Sequence, residues 1–209
     1  MKRTFFSLAL LLAVATLTAQ TKMTAREAAV KIADRILAST TYEFKNTKTG
    51  EIYKSVKKLP LDMDVKVACK YNNWHYTNGV TNMALMELGD KLGDKKYEKY
   101  VLKNMNFVFN EGNLDFFRKQ YDEAFKRDGW NAVRKLSWHM IFRGKRLDDN
   151  GPMGASLIEL QLKYPNDSFL GYINETAEHL NYGEPRLVDG TIARIWPHVK
   201  DRKSTRLNS

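Results

Sequence analysis

Residues 79–88 read GVTNMALMEL and residues 151–160 read GPMGASLIEL, so one pattern returns 72 positions further along the chain. The same offset relates Tyr97 to Phe169 and Tyr100 to Tyr172. Each copy runs from a glycine through an apolar helical pattern and a polar turn to a helix with aromatic residues. Two amphipathic hairpins with similar core needs would also look alike. The shared register favours a repeated helical hairpin within a ring or solenoid.

Helical periodicity extends on both sides of this repeat, whereas strand patterns are few. Residues 24–39 open with TARE, a capping-box pattern, and continue with apolar residues on one helical face. Residues 40–67 are rich in Lys and β-branched residues without a clear period, which predicts loops and a short extended piece. Further helices are predicted over residues 80–92, 95–110, 114–126, 130–142, 152–164 and 166–181. The chain is therefore expected to be all-α.

The N-terminus resembles a secretory signal peptide. Lys2 and Arg3 precede an apolar run over residues 5–14, and small and polar residues follow it. That run is too short for a mature membrane span, and no Cys stands near the expected cleavage point, so no membrane anchor is predicted. We expect residues 1–20 to be removed and the protein to be exported, into the periplasm or outside the cell. Cys69 is the single cysteine, so stability must come from an apolar core.

The C-terminal residues 201–209, DRKSTRLNS, are polar and unlike the Trp- and Pro-containing segment before them. An ordinary frayed tail is the plainer interpretation. They also resemble the translation of a common sequencing adapter, and we therefore expect the protein-coding segment to cover residues 21–200 and the natural gene to continue past Lys200.

The formal net charge of the chain is +10, which would ordinarily suggest a nucleic-acid partner. Two of these charges come from Lys2 and Arg3, and a net two come from residues 201–209, which leaves +6 for residues 21–200. The remaining charge is distributed, without a run of five like charges. No nucleic-acid partner is therefore predicted.

A first candidate site precedes the first copy of the repeat, where Trp74, His75 and Tyr76 stand together. An aromatic platform with polar tips suits a sugar, because the C–H faces of the sugar pack on rings while its hydroxyls need fixed donors and acceptors. The same pattern is equally typical of two core anchors beside a hydrogen-bonded histidine.

A second candidate, LDDNGPMGA over residues 147–155, enters the helix of the second copy. An Asp or Asn here would cap the helix and complement its dipole, but two adjacent carboxylates followed by small residues exceed what a cap requires. The glycines would allow a ligand to approach closely, and a partly desolvated Asp149 could have its pKa raised into the range of acid–base catalysis. Since Asp149 corresponds to Thr77 in the repeat, both candidates are predicted at the same end of equivalent helices.

A third candidate is DGTIARIWP over residues 189–197, a turn followed by an alternating stretch. The Asp-Gly pair is a common turn, and Arg194 could hold an anionic group of a substrate. The chain has no paired-Cys zinc pattern, no H-E-x-x-H, no Walker A loop, no G-x-G-x-x-G after a strand and no G-x-S-x-G elbow, and its four histidines are scattered. Neither a metal nor a cofactor is predicted.

Together these segments resemble the amino-terminal half of an unsaturated glucuronyl or rhamnogalacturonyl hydrolase, of glycoside hydrolase families 88 and 105, with a leaning to family 105. The resemblance covers roughly residues 24–200 and is weakest across residues 113–144. It implies an (α/α)6 barrel whose loops at one end surround a pocket for a 4,5-unsaturated uronic acid. Six hairpins need about 240 residues, so residues 21–200 would form an incomplete barrel.

The resemblance also implies a reaction. In this family an Asp protonates the C4=C5 enol ether and water adds at C5, giving a hemiketal that collapses to release the next sugar. Asp149 resembles the inner-pocket carboxylate that supports the water and the ring, and Tyr76 resembles an aromatic of the substrate pocket whose wall Trp74 and His75 would shape. The family's proton donor is expected just past Lys200, so the chain alone is expected to be inactive.

The substrate implied is an acidic unsaturated oligosaccharide made by a polysaccharide lyase, with rhamnose favoured as the next sugar only by the leaning to family 105. The alternative is a non-catalytic helical-repeat module that binds a glycan or a partner. A third possibility is another α/α toroid enzyme such as a lyase, which would not need a double bond already present in its substrate. The enzyme hypothesis predicts the Asp-containing segment within a few codons of Lys200, and the binding module predicts its absence.

Overall fold

The computed structural model describes residues 23–143 and 147–193, apart from the side chains of Glu111 and Asp149. Within these residues the chain is mostly helical, which confirms the predicted predominance of helix. The described residues divide into two units, one up to Ala38 and one from Ser39 onward. The predicted signal peptide and the tail over residues 201–209 lie outside the described residues.

The described part of the chain contains seven α-helices and three short strands. Most predicted helix bounds agree with the structure to within a few residues. The helices are α1 (Ala25–Ser39), α2 (Tyr76–Leu92), α3 (Lys96–Phe109), α4 (Glu111–Val133), α5 (His139–Arg143), α6 (Leu147–Lys163) and α7 (Asp167–Glu178). The strands are β1 (Phe44–Asn46), β2 (Ile52–Tyr53) and β3 (Val65–Val67).

Helix α1 begins with the capping box that its sequence predicts. The Glu27 backbone N–H donates to Thr24 Oγ1 at 3.2 Å, and the Thr24 backbone N–H donates to Glu27 Oε2 at 2.8 Å. This reciprocal pair satisfies donors that the first turn of a helix otherwise leaves unpaired.

The segment predicted as loops with a short extended piece contains a small antiparallel sheet in the order β2–β1–β3. Phe44 and Val65 point into the core and are almost fully buried. The Phe44 ring lies 5.3 Å from that of Phe107 and 5.7 Å from that of Phe117, which attaches the sheet to α3 and α4. Strands of two or three residues are too short to show an alternating period, which explains why the pattern was weak.

The two copies of the repeat form two helical pairs, α2 with α3 and α6 with α7. Their second helices bury equivalent aromatics to the same extent, since Tyr97 and Phe169 are both fully buried and Tyr100 and Tyr172 are both 8% exposed. Helix α2 ends at Gly93, whose φ of 67° is the left-handed conformation that closes many helices. Equivalent aromatics therefore serve equivalent core positions in both copies.

The first helices of the two copies, α2 and α6, lie side by side and run parallel. At their N-terminal ends the backbone of Met153 comes so close to Gly79 that a Cβ on that glycine would lie 2.5 Å from the Met153 nitrogen. At their C-terminal ends Lys163 Nζ lies 3.2 Å from Asp90 Oδ1. The parallel contact brings the two candidate segments to the same end of the helix pair.

The helix predicted over residues 130–142 is wrong as one continuous helix, although the gap predicted between residues 126 and 130 agrees with the structure. Helix α4 continues to Val133 through a break at Asp128 and Gly129, where Gly129 has a φ of 52°, and a separate short helix α5 follows. Between them Trp138 adopts a φ of 57° and is fully buried, with its Nε1 donating to the Asn72 carbonyl oxygen at 2.7 Å. Tertiary contacts thus hold a conformation that local helical periodicity does not predict.

A buried carboxylate joins the two hairpins near their turns, where α3 begins and α6 ends. Glu98, 7% exposed, accepts hydrogen bonds of 2.5 Å from Lys163 Nζ and from the Tyr164 hydroxyl. These two hydrogen bonds lower the pKa of Glu98 below its usual range, and the bond from Lys163 has the larger effect. Such a group stabilises the fold at neutral pH, and the stabilisation is lost as the pH falls through the lowered pKa.

We expect Glu98→Gln to cost about 2 kcal/mol at pH 7, since an amide replaces a charged acceptor of two hydrogen bonds. We also expect the variant to lose less stability than the wild type on acidification from about pH 5 to pH 2. Urea unfolding at a series of pH values measures both effects. Parallel pH profiles for the two proteins would contradict the assignment.

Candidate functional site

A buried asparagine links the two candidate segments. Asn150 is 4% exposed, and its Oδ1 accepts a hydrogen bond of 3.3 Å from Trp74 Nε1 and one of 3.0 Å from the Tyr172 hydroxyl. The three side chains come from the segment before α2, the first turn of α6 and the second turn of α7. This junction fixes the backbone around residues 148–150 against both hairpins.

Trp74 is a core residue and not part of an open aromatic platform. Its ring is 1% exposed and contacts the rings of Phe109 and Tyr172 edge to face, with centroids 5.8 and 5.0 Å apart. Trp74 therefore does not form the wall of a sugar site that was expected, because a buried indole offers no face to a ligand. It instead holds the Asn150 side chain in position. Burial raises the pKa of Tyr172, so its hydroxyl stays a proton donor.

His75 and Tyr76 lie at the surface side of the same segment. His75 caps α2, with its Nδ1 accepting from the Thr77 backbone N–H at 3.4 Å and lying 2.8 Å from Thr77 Oγ1. Tyr76 is 46% exposed, and its ring centroid is 4.5 Å from that of His75. Of the three predicted aromatic residues, Tyr76 is the most exposed.

The acidic pair lies at the start of α6. Asp148 is exposed, and the backbone of Asp149 lies in the first turn of the helix, between Asp148 and the buried Asn150. The first turn of a helix favours an ionised carboxylate, because unpaired backbone N–H groups point toward it. The side chain of Asp149 and the whole of Arg194 lie outside the described residues.

A cavity of about 410 Å³ adjoins the buried junction. Phe109 and Tyr172 line it, so it shares two aromatic walls with the cluster around Trp74. Its polar lining comes from α4 and α7 and contains two carboxylates, a guanidinium and a hydroxyl, from Asp115, Glu175, Arg118 and Ser168. Arg118 also lies over the Phe142 ring at 4.8 Å, which fixes the plane of its guanidinium.

A larger cleft of about 800 Å³ lies beside the sheet and the break in α4, away from the predicted residues. Lys66 lines it, and its Nζ donates to the Lys135 carbonyl oxygen at 2.6 Å. Burial lowers the pKa of Lys66, against the opposing effect of Asp64 and Asp62. Both acidic and basic side chains line this cleft, which gives it no single charge preference.

Asn150 and Tyr172 are the residues whose joint role the sequence did not indicate. Asn150 belongs to the quoted segment, where it looks like a helix cap, and Tyr172 appears only as the repeat partner of Tyr100. The hydrogen bond between them depends on the crossing of α6 and α7, which periodicity within one helix does not encode. The available signal was a polar residue one turn before the buried Met153 and on the same side of α6 as the buried Leu157.

We expect Asn150→Ala to lower the free energy of unfolding by about 2–3 kcal/mol, because it leaves the buried Trp74 N–H without an acceptor. Tyr172→Phe removes one donor and leaves the amide in place, so a loss of about 1 kcal/mol is expected. Urea denaturation compares the two. Equal losses would show that Asn150 does not carry the junction.

No family model and no curated protein matches this chain. Within residues 23–143 and 147–193 no three His, Cys, Asp or Glu side chains group as a metal ion would require. None of the helices in that part has the length and apolar content needed to cross a membrane.

Proposed function

We propose that this chain belongs to an exported glycoside hydrolase that removes a 4,5-unsaturated uronic acid from the non-reducing end of lyase-generated oligosaccharides of the pectin or rhamnogalacturonan type. The observation that carries the proposal is the contact between Trp74 and Asn150. It joins, at one end of two parallel helices, two of the three segments on which the family resemblance rests.

The proposal assigns the chemistry to Asp149. The Asp expected past Lys200 donates a proton to C4 of the enol ether, water adds to C5 and gives up a proton to Asp149, and the resulting hemiketal opens to release the next sugar. Asp149 acts as the carboxylate that orients the water and supports the ring. Its place in the first turn of α6 supports this assignment, because the helix terminus favours the ionised form.

The neighbouring residues hold this carboxylate and the sugar. Trp74 and Tyr172 are positioning residues that fix Asn150, directly next to Asp149 in the chain. Tyr76 offers an exposed ring on which a sugar face can pack, and His75 fixes the first turn of α2 that carries this ring. Arg194 is proposed to pair with the uronate carboxylate.

The two hairpins are proposed to be neighbouring parts of an incomplete (α/α)6 barrel. The parallel contact of α2 with α6 supports this arrangement, since corresponding helices of successive hairpins run parallel around such a ring. Tyr97 and Phe169, which correspond in the repeat, are both fully buried, and this supports the same alignment of the two hairpins.

Reading the gene past the Lys200 codon tests the proposal, because the enzyme hypothesis expects the proton-donating Asp within the next few codons. The protein made from that reading should release the next sugar from an unsaturated disaccharide. A continuation without such a segment, and a protein that binds the oligosaccharide unchanged, would favour the non-catalytic binding module.

A further inference from the structure

Another cavity, of about 620 Å³, lies between the segment that follows β2 and the junction of α3 with α4. Ligand pockets typically have volumes of about 300–1,000 Å³, so this cavity is large enough for a ligand. Two aromatic rings, two carboxamides and two ammonium groups line it, from Tyr42, Phe107, Asn110, Asn113, Lys54 and Lys57. We call this cavity the lysine pocket.

The lysine pocket has an excess of positive charge. None of the described residues that line it is acidic. Across residues 54–57 and 103–113 the sequence has three lysines and one acidic residue, Glu111. The third lysine is Lys103, whose Nζ lies 4.1 Å from the centroid of the Tyr42 ring. Positive charge around a concave surface favours an anionic ligand.

Contacts within the protein hold the walls of the lysine pocket in place. Gly112 brings the first turn of α4 against Val56, since a Cβ on Gly112 would lie 3.4 Å from Val56 Cγ2. The Asn113 side chain is buried and donates to the Phe107 carbonyl oxygen at 2.8 Å. Asn110 Oδ1 accepts from the Asn113 backbone N–H at 3.4 Å. Both carboxamides are therefore positioned before a ligand arrives, which lowers the entropic cost of binding.

The aromatic wall of the lysine pocket suits a sugar better than a nucleobase. The rings of Tyr42 and Phe107 lie 5.4 Å apart and cross at 74°, so they form a bent wall and not the flat platform on which a base stacks. A sugar packs its C–H groups on such rings, while the carboxamides supply donors and acceptors for its hydroxyls. Ammonium groups pair with carboxylates. This combination is the one expected for a sugar that carries a carboxylate, a uronic acid.

We propose that the lysine pocket binds an acidic oligosaccharide. The ammonium groups of Lys54 and Lys57 pair with uronate carboxylates, and the rings of Tyr42 and Phe107 pack on a sugar face. Neither Trp74 nor Tyr76 lines this pocket. The proposal does not depend on the proposed function, because a saturated oligosaccharide occupies the pocket whether or not the protein cleaves an unsaturated one.

Isothermal titration calorimetry of the purified chain with trigalacturonate tests this site. Trigalacturonate is an acidic trisaccharide without a C4=C5 double bond, so the proposed hydrolase reaction does not consume it. We expect the chain to bind it. The fully methyl-esterified trisaccharide keeps the sugar rings and lacks the charges, so it should bind at least about ten-fold more weakly.

Replacing both lysines of the pocket locates the binding. Lys54→Gln combined with Lys57→Gln should weaken the binding of trigalacturonate about ten-fold, since two charge pairs are lost. Lys91→Gln combined with Lys126→Gln is the matched control, because it removes the same charge from exposed lysines that pair with carboxylates on their own helices. This control should change the affinity by no more than about two-fold. Circular dichroism should show both double variants folded.

Three outcomes would overturn the proposal. They are a wild-type chain that does not bind trigalacturonate, a methyl ester that binds as tightly as the acid, and equal losses of affinity in the two double variants. Titration with a single-stranded DNA oligonucleotide completes the test. Tighter binding of the oligonucleotide than of trigalacturonate, lost with Lys54 and Lys57, would assign the pocket to a nucleic acid instead.

Discussion

In the protein encoded by the gene continued past the Lys200 codon, replacing Asp149 with Asn is expected to reduce the rate of hydrolysis of an unsaturated disaccharide by about 10²–10⁴-fold. An amide cannot accept the proton of the attacking water, while its size preserves the shape of the first turn of α6. The rate of loss of ultraviolet absorbance from the C4=C5 bond measures the effect.

Asp148→Asn is the matched control for this variant. Asp148 is the adjacent carboxylate on the same turn and is exposed to solvent. We expect its replacement to change the rate by no more than a few-fold, since a change of charge alone acts weakly at the surface. Equal losses in the two variants would show that general charge at the helix start, and not the Asp149 carboxylate, supports the reaction.

Gly79→Ala is expected to give the largest loss of stability, about 3 kcal/mol or more. The added Cβ would meet backbone atoms of Pro152 and Met153, which cannot turn aside as a flexible side chain would, so α2 and α6 must separate. Urea unfolding of the variant and the wild type measures the loss.

Gly151→Ala provides the comparison at the equivalent position of the repeat. A Cβ there meets nothing within 4 Å, and alanine is the better helix former, so a gain of about 0.5–1 kcal/mol is expected. Similar effects of the two substitutions would contradict the close approach of the two helices at Gly79.

The helical hairpins could be predicted because their signals are local or repeated. The capping box at Thr24 and the apolar period of α2 and α6 act within one or two turns, and each agrees with the structure. The offset between Gly79 and Gly151 also placed both candidate segments at one end of equivalent helices. Their contact through Asn150 agrees with that placement.

The surroundings of Trp74 could not be predicted in the same way. Its burial depends on Phe109 and Tyr172, which approach it from other helices far along the chain. A platform for a sugar and a core anchor use the same residue type, so composition leaves both open. The interruption at Trp138 was missed for a related reason, since its left-handed conformation is held by buried contacts and not by the local sequence.

The most direct measurement of the central claim is the ultraviolet absorbance of an unsaturated rhamnogalacturonan disaccharide incubated with the protein read past Lys200. A saturated disaccharide and an unsaturated glycosaminoglycan disaccharide run beside it. The proposed function predicts that the absorbance of the unsaturated pectin-type substrate disappears as the second sugar is released, while the saturated one stays intact. Unchanged absorbance with every unsaturated uronide would contradict the account.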